Sequence, residues 1–117
     1  MDRQQVAIYG SLKRGFYNHH LMVGSEFIGE DCLGGFNLYS LGAFPGVKRG
    51  KGKLHVEVFA VDPPCFERLD VLEDHPNWYQ REQVTTKFGL AWIYLYLPEV
   101  DNQLQVTSGN WLESSGT

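Results

Sequence analysis

The stretch Ala7-Ile8-Tyr9-Gly10-Ser11-Leu12-Lys13-Arg14-Gly15 begins as an apolar strand and breaks into a turn punctuated by glycine. Backbone N–H groups in such a turn can converge on one anionic oxygen, and Gly10 lets a ligand approach the main chain closely. A strand that ends this way holds its loop rigidly enough to serve as a binding site. On its own, Tyr9-Gly10-Ser11-Leu12 reads equally well as a tight surface turn. A second element, further along the chain, has to decide.

Working outward, residues 5–9 form a strand with Val6 and Ile8 on one face and Ala7 and Tyr9 on the other. Residues 18–23 read as a short helix capped by Asn18. Two strands, 26–33 and 36–41, are separated by a break at Gly34-Gly35. Residues 43–47 are a loop, because Pro45-Gly46 is a turn dipeptide. Residues 48–53 alternate basic side chains with glycine and read as a solvated, flexible turn, with phosphate binding as the rival reading. Residues 54–61 are a firmer strand: Leu54, Val56, Val58 and Ala60 share one face, His55, Glu57, Phe59 and Val61 the other. Asp62-Pro63-Pro64 is a helix start with Asp62 as cap, and the helix runs from Pro63 to Leu72 or Glu73. His75-Pro76-Asn77 ends it. Residues 79–86 and 91–97 are strands joined by a Phe88-Gly89 turn. The second is apolar on both faces, which predicts a central strand stopped by Pro98. Trp111 anchors a turn in the tail. Many short strands with one convincing helix give an α+β class, a small mixed β-barrel with flanking short helices.

The 117 residues fit one domain, 1–117, large enough for a real core. A hydrophobic content of 43% with 21% charged residues is ordinary for a globular chain. The net charge of −4, with no basic tract, gives nucleic acid no electrostatic invitation. The N-terminal residues 1–5 are polar and carry no signal core, and no apolar run approaches the roughly 20 residues that span a bilayer. Cys32 and Cys65 do not make a disulfide framework, which predicts a reducing cytoplasm with both thiols buried. His19, His20, His55 and His75 show no metal-ligand spacing with either cysteine, so no metal is expected. His19-His20 reads as a packing element behind the glycine turn. Trp78, Trp92 and Trp111 are read as core, with stacking on a ligand as the alternative.

The helix supplies the second element. Phe66 and Leu69 are three apart, and Glu73 lies four beyond Leu69, so Glu73 continues the apolar stripe. A carboxyl group placed there is partly desolvated, which raises its pKa above about 4.3. Asp70 and Asp74 are expected to push it the same way. A carboxylate that exchanges protons near neutral pH is what general acid–base chemistry requires. The competing reading turns Glu73 out to water at a frayed helix end. Glu57 is the rival acid, better suited to a structural hydrogen bond. Arg81, on a strand face with Tyr79, should pair with a protein carboxylate or with a substrate's.

Two sets of residues match one known pattern. Tyr9-Gly10-Ser11-Leu12-Lys13-Arg14-Gly15 followed by Asn18-His19 resembles the first signature of the gamma-glutamylcyclotransferase-like (AIG2-like) family. Leu69-Asp70-Val71-Leu72-Glu73 followed by Tyr79-Gln80-Arg81 resembles its second, and Glu57-Val58-Phe59 resembles the strand between them. The likeness runs from about residue 6 to 111. It implies a compact barrel with flanking helices and a cavity at the first strand–loop junction. It implies that Tyr9, Gly10, Ser11 and Leu12 hold the substrate largely through main-chain groups. It gives Glu73 the acid–base role and places Tyr79 in the pocket wall; Tyr39 is a further candidate wall. The implied substrate is a small γ-glutamyl amine or peptide, split without a cofactor by attack of its own α-amine, releasing 5-oxoproline. The segment 44–53 is short where some relatives carry long insertions, and those insertions shape the leaving-group side. The alternative is a non-catalytic module that uses the same cavity to hold a small zwitterion.

Overall fold

A computed structural model describes residues 3–112. Met1, Asp2 and residues 113–117 lie outside the described residues, and with them the ends of the expected 1–117 domain and part of the polar N-terminal reading. Strands β1 (Gln4–Ile8), β2 (Ser25–Ser40) and β3 (Pro45–Val61) precede the helix α1 (Pro63–Leu72), and β4 (Tyr79–Thr86) and β5 (Gly89–Tyr96) follow it. Short 3-10 turns lie at His19–Met22 and Asn102–Leu104. The sheet order is β2-β3-β1-β5-β4, so β1 is central. It runs antiparallel to β3 and parallel to β5.

The alternation read from the sequence separates two cores. Ala7, Tyr9, Leu54, Val56, Val58, Ala91, Ile93 and Leu95 share one buried cluster with Trp111. Val6, Ile8, Phe59, Val61 and Tyr94 share the other, against Cys65 and Leu69 of α1. β5 lies between β1 and β4 with both faces used, as its double apolar pattern predicts.

The architecture is α+β with one five-stranded sheet and one α-helix, but the sheet does not close among the described residues. The expected barrel is therefore corrected to an open, curled sheet. Its two edges approach through side chains instead of a ladder: the Lys87 N–H donates to Asp31 Oδ2 (2.9 Å) and the Phe88 ring covers Gly29, while Arg49 of β3 pairs with Glu82 of β4.

Two further expectations change for one reason. Gly34-Gly35 is not a break and residues 48–53 are not a flexible turn. Both lie inside the long antiparallel β2–β3 ribbon, where the register shifts between Gly34 and Phe36. The extra β3 residues bulge there, and Asn37 fills the bulge, its Oδ1 accepting from the Gly52 N–H (2.8 Å). A second shift lies between Phe27 and Gly29. Of the two cysteines, Cys65 is buried but Cys32 is exposed on the ribbon; both are unpaired.

α1 starts where the sequence says. Asp62 Oδ1 accepts from the Cys65 N–H at 2.9 Å, with proline in the first turn. Asp62→Ala is expected to lower stability by about 1 kcal/mol, the usual worth of an N-cap, as a drop in the urea midpoint without a change in slope. Residues 18–23 form only a 3-10 turn, and Asn18 does not cap it.

Candidate active site

Where β1 ends, a cavity of about 430 Å³ opens between the glycine turn, the end of α1 and the start of β4. Tyr9, Gly10, Ser11, Leu12, Glu73 and Tyr79 all line it. The two stretches singled out in the sequence, more than fifty residues apart, thus share one hollow.

The turn is built to present its main chain. The Lys13 N–H donates to Gly10 O (3.0 Å) and the Asn18 N–H to Ser11 O (2.8 Å). Asn18 spends its side chain here as well, donating to Ser11 Oγ at 2.8 Å, which is why it is absent from the cap. His19 Nδ1 bonds to Leu12 O (2.9 Å) and its ring packs on Phe59, behind the turn as expected. The carbonyls of Gly10, Ser11 and Leu12 are thereby used. Their three N–H groups have no protein acceptor among the described residues. Such a set of unspent amides favours an anionic oxygen. Gly10 is required by space: a Cβ there would lie 2.7 Å from Pro45 Cγ, across the cavity wall.

Glu73 reaches the cavity through the way α1 stops. Cys65, Leu69 and Glu73 are successive fourth residues on one face, and the first two are fully buried. The Asp74 N–H donates to Val71 O and the His75 N–H to Asp70 O, while Asp74 turns left-handed at φ +50°. This is a Schellman ending with Asp74 in the position usually held by glycine. It makes Glu73 the last residue with helical direction, so its side chain stays in line with Leu69. Asp74 tolerates the turn as a short polar residue, and its carboxylate accepts from Asn77 Nδ2.

The Glu73 carboxylate makes no hydrogen bond or ion pair among the described residues. It is half-buried, and burial among aromatic walls pushes its pKa up to about 7. The contribution expected from Asp70 and Asp74 is not found. Asp70 accepts from the Tyr94 hydroxyl (2.7 Å) and pairs with Arg81 Nε (3.3 Å). Asp74 is exposed to water. Desolvation is therefore the governing cause, and Arg81, engaged by Asp70 and lying over Phe66 and Trp92, is a structural pair.

The walls are tyrosines held by hydrogen bonds. Tyr9 donates to Tyr94 O (2.7 Å) and Tyr79 to Pro45 O (2.8 Å). Burial, and after it the Glu73 charge, pushes the pKa of both hydroxyls up, so they stay neutral. Tyr94 is raised by burial and then by Asp70. Phe44, Asn18, Trp78, Tyr94 and Tyr96 also line the cavity. Sequence reading did not single out Phe44, Asn18, Tyr94 or Tyr96 for it; Trp78, read as core with ligand stacking as the alternative, is exposed at the cavity and not core. The two β5 tyrosines carried a signal, sharing a face at the end of the strand paired beside β1.

Other candidates lie elsewhere. Glu57 is buried and accepts from the Arg14 N–H (2.9 Å) and Arg14 Nε (3.4 Å), a structural role. Tyr39 is buried but does not line the cavity. Among the described residues no three His, Cys, Asp or Glu side chains gather as a metal site, and no helix is long and apolar enough to cross a membrane.

Comparison with known proteins points the same way. The family model described as gamma-glutamyl cyclotransferase, AIG2-like, matches residues 6–113. The chain is 35% identical over 109 residues to the gamma-glutamylcyclotransferase family protein YtfP of Escherichia coli K12, covering 93% of this chain and 96% of that one. It is 38% identical over 109 residues to a putative gamma-glutamylcyclotransferase of Vibrio cholerae, covering 92% and 95%. Among solved structures, the uncharacterized protein PH0828 of Pyrococcus horikoshii superposes with a TM-score of 0.82 at 36% identity, over 92% of this chain and 88% of that one. An AIG2-like protein of Mus musculus gives 0.79 at 25% identity, over 95% and 89%. With turn, helix end and sheet order all in place, the chain belongs to the gamma-glutamyl cyclotransferase, AIG2-like family.

Proposed function

We propose that this protein is a gamma-glutamylcyclotransferase that releases 5-oxoproline from a small γ-glutamyl amide, with Glu73 as the single acid–base group and no cofactor. The observation that carries the reading is the sharing of one cavity by an unpaired carboxyl group and three unspent backbone amides.

The nucleophile belongs to the substrate, so the protein needs no serine or cysteine of its own. The glutamyl α-nitrogen attacks the side-chain carbonyl carbon, a five-membered lactam closes, and the bond to the leaving nitrogen breaks. Across the reaction the α-nitrogen, starting as ammonium, gives up two protons, and the leaving nitrogen gains two. Glu73 carries them from one to the other. The amides of Gly10, Ser11 and Leu12 face the negative oxygen that develops, each such donor being worth roughly 2.7–4 kcal/mol where one has been removed. Tyr9 and Tyr79 hold the substrate folded for closure, and correct orientation supplies as much as about 7–11 kcal/mol. The reaction belongs in the cytoplasm, where the free thiols Cys32 and Cys65 stay reduced.

The productive complex holds Glu73 ionised and the α-nitrogen as ammonium. Below about 7 the carboxylate is protonated and there is no base. Above roughly 8 the ammonium is lost and no proton remains for the leaving group. A bell-shaped profile of kcat/KM with limbs near these values is therefore expected. The primary test is incubation with a panel of γ-glutamyl amines and detection of 5-oxoproline by mass spectrometry. Saturable binding without turnover across the panel would replace the enzyme with a binding module.

A further inference from the structure

The half of the cavity that the glutamyl group leaves free has its own chemistry. Phe44, Leu72 and Trp78 line the cavity and are 47%, 42% and 54% exposed, so they form its mouth. Trp78 is stacked on Tyr96, with centroids 6.4 Å apart and planes at 26°, which fixes its ring in advance of any ligand. Phe44 is held in the β2–β3 hairpin loop, its carbonyl accepting from the Leu41 N–H at 2.9 Å. Three apolar side chains left half-exposed at one opening are costly to solubility and mark a contact surface.

The charge at this mouth has one sign. Among the described residues the only charged side chains lining the cavity are Glu73 and Asp74, and no lysine, arginine or histidine lines it. The nearby Lys48 is turned away, its Nζ donating to the carbonyls of Tyr96 and Leu97. The unspent amides of the glycine turn serve the oxygen that turns negative during ring closure, so none is left for a carboxylate on the leaving side. A second carboxylate, on the leaving side, would meet apolar rings and Asp74 with no cation to offset its desolvation.

The geometry points to a leaving group that is an amine with an apolar, preferably aromatic, body and no carboxylate, seated between Phe44, Leu72 and Trp78. This inference rests on the cyclotransferase reading for the word "leaving", but the seat itself is a binding preference and can be measured without turnover. A cavity of about 430 Å³ lies toward the small end of ligand cavities, roughly 300–1,000 Å³, which suits a compact amine over a long peptide. γ-Glutamyl peptides that end in a free carboxylate should accordingly be poor substrates.

Two synthetic compounds isolate the point: the γ-glutamyl amide of phenethylamine, and γ-glutamyl-phenylalanine, which has the same body plus a carboxylate. With the intact protein, kcat/KM is expected to be at least tenfold higher for the phenethylamide. Asp74→Asn, which keeps the left-handed turn and removes the charge, should shrink that ratio severalfold. Trp78→Ala should lower kcat/KM for the phenethylamide by about tenfold, with a much smaller effect on the γ-glutamyl amide of methylamine. Equal rates for the two compounds, a preference for the acid, or a Trp78→Ala loss equal for both amides would overturn the inference. If no compound yields 5-oxoproline, the cyclotransferase reading fails. The ratio of dissociation constants of the same pair, measured by calorimetry, then decides the inference by the same tenfold criterion.

Discussion

Glu73→Gln should cost the proposed cyclotransferase activity about 10²- to 10⁴-fold in turnover, the usual worth of a positioned acid–base group, and at pH 8 it should make the protein more stable. Glutamine keeps the size of the side chain and its hydrogen-bonding capacity but cannot exchange the proton. The stability effect follows from burial. In the folded protein the Glu73 carboxyl has its pKa pushed from 4.5 up to about 7 because water is withdrawn from it and no cation replaces the water. The native state therefore binds this proton more tightly than the unfolded chain does. Stability contributed by the neutral form is fully present below pH 4.5 and is lost as the pH rises through about 7. Above that, the native state carries an ionised group it disfavours by on the order of 3 kcal/mol. Removing the charge should return about 1–3 kcal/mol at pH 8, a rise in Tm of roughly 4–12 °C, and nothing below pH 4.5. Paired thermal melts at pH 4.5 and pH 8 separate this from a general packing effect. A variant that keeps near wild-type 5-oxoproline formation removes Glu73 from the mechanism. One that melts lower at pH 8 shows that the carboxylate has a partner. Glu57→Gln is the contrast: its acceptor oxygen for the Arg14 N–H survives, so rates should stay within a few-fold.

Burying an ionisable group at the expense of stability is a common arrangement in functional sites, and here it traces to one feature of the helix. Phe66, Leu69 and Glu73, at spacings of three and four, were legible in the sequence as a line, which the structure extends back to the buried Cys65. That line says the acid points inward. It does not say that Arg81 is engaged by Asp70, which is why burial alone sets the Glu73 proton affinity. Pairings of that kind join distant segments, and periodicity within one element carries no record of them. The same limit explains the ribbon. Gly34-Gly35 and the stretch 48–53 have the composition of turns, because glycine marks turns and bulges alike. Only the cross-strand partner distinguishes them, here Lys53 opposite Gly34 and Arg49 opposite Phe36. Strand faces fared better, since the alternation of Val6 and Ile8 against Ala7 and Tyr9 depends on the pleat alone. Closure of the sheet depended on its edges, Gly29 under Phe88 and Asp31 at Lys87, which no local pattern announces.

Gly109→Ala should be the most damaging single substitution outside the cavity, through the tail's hold on the glycine turn. Gly109 has φ +71°, and a Cβ built there lies 1.9 Å from the Lys53 carbonyl oxygen and 2.8 Å from its carbon. Both atoms are backbone of β3, so neither can swing aside. The left-handed conformation alone costs a non-glycine residue roughly 1–2 kcal/mol, and the collision adds displacement of the tail. That displacement breaks a chain of contacts. The His55 N–H donates to Gly109 O (2.8 Å), and the Val106 N–H to Leu38 O (2.7 Å). Two residues on, Trp111 is 7% exposed and completes the core inside the curl of the sheet. Its carbonyl accepts from Lys13 Nζ at 2.8 Å, and Asn110 Oδ1 from the same nitrogen at 3.1 Å. Lys13 is itself buried, and it follows directly on the residues that offer their amides to the cavity. A loss of more than about 3 kcal/mol is expected, a drop in Tm of roughly 12 °C or more. In the fraction that stays folded, KM should rise more than kcat falls, because the turn loosens while Glu73 keeps its place on α1. Gly34→Ala is the control: no heavy atom lies within 4 Å of the added Cβ and φ is not positive, so its Tm should stay within about 2 °C. Were Gly109→Ala to match that control, the tail would be a passenger on the ribbon, and the rigidity of the glycine turn would have to come from Asn18 and His19 alone.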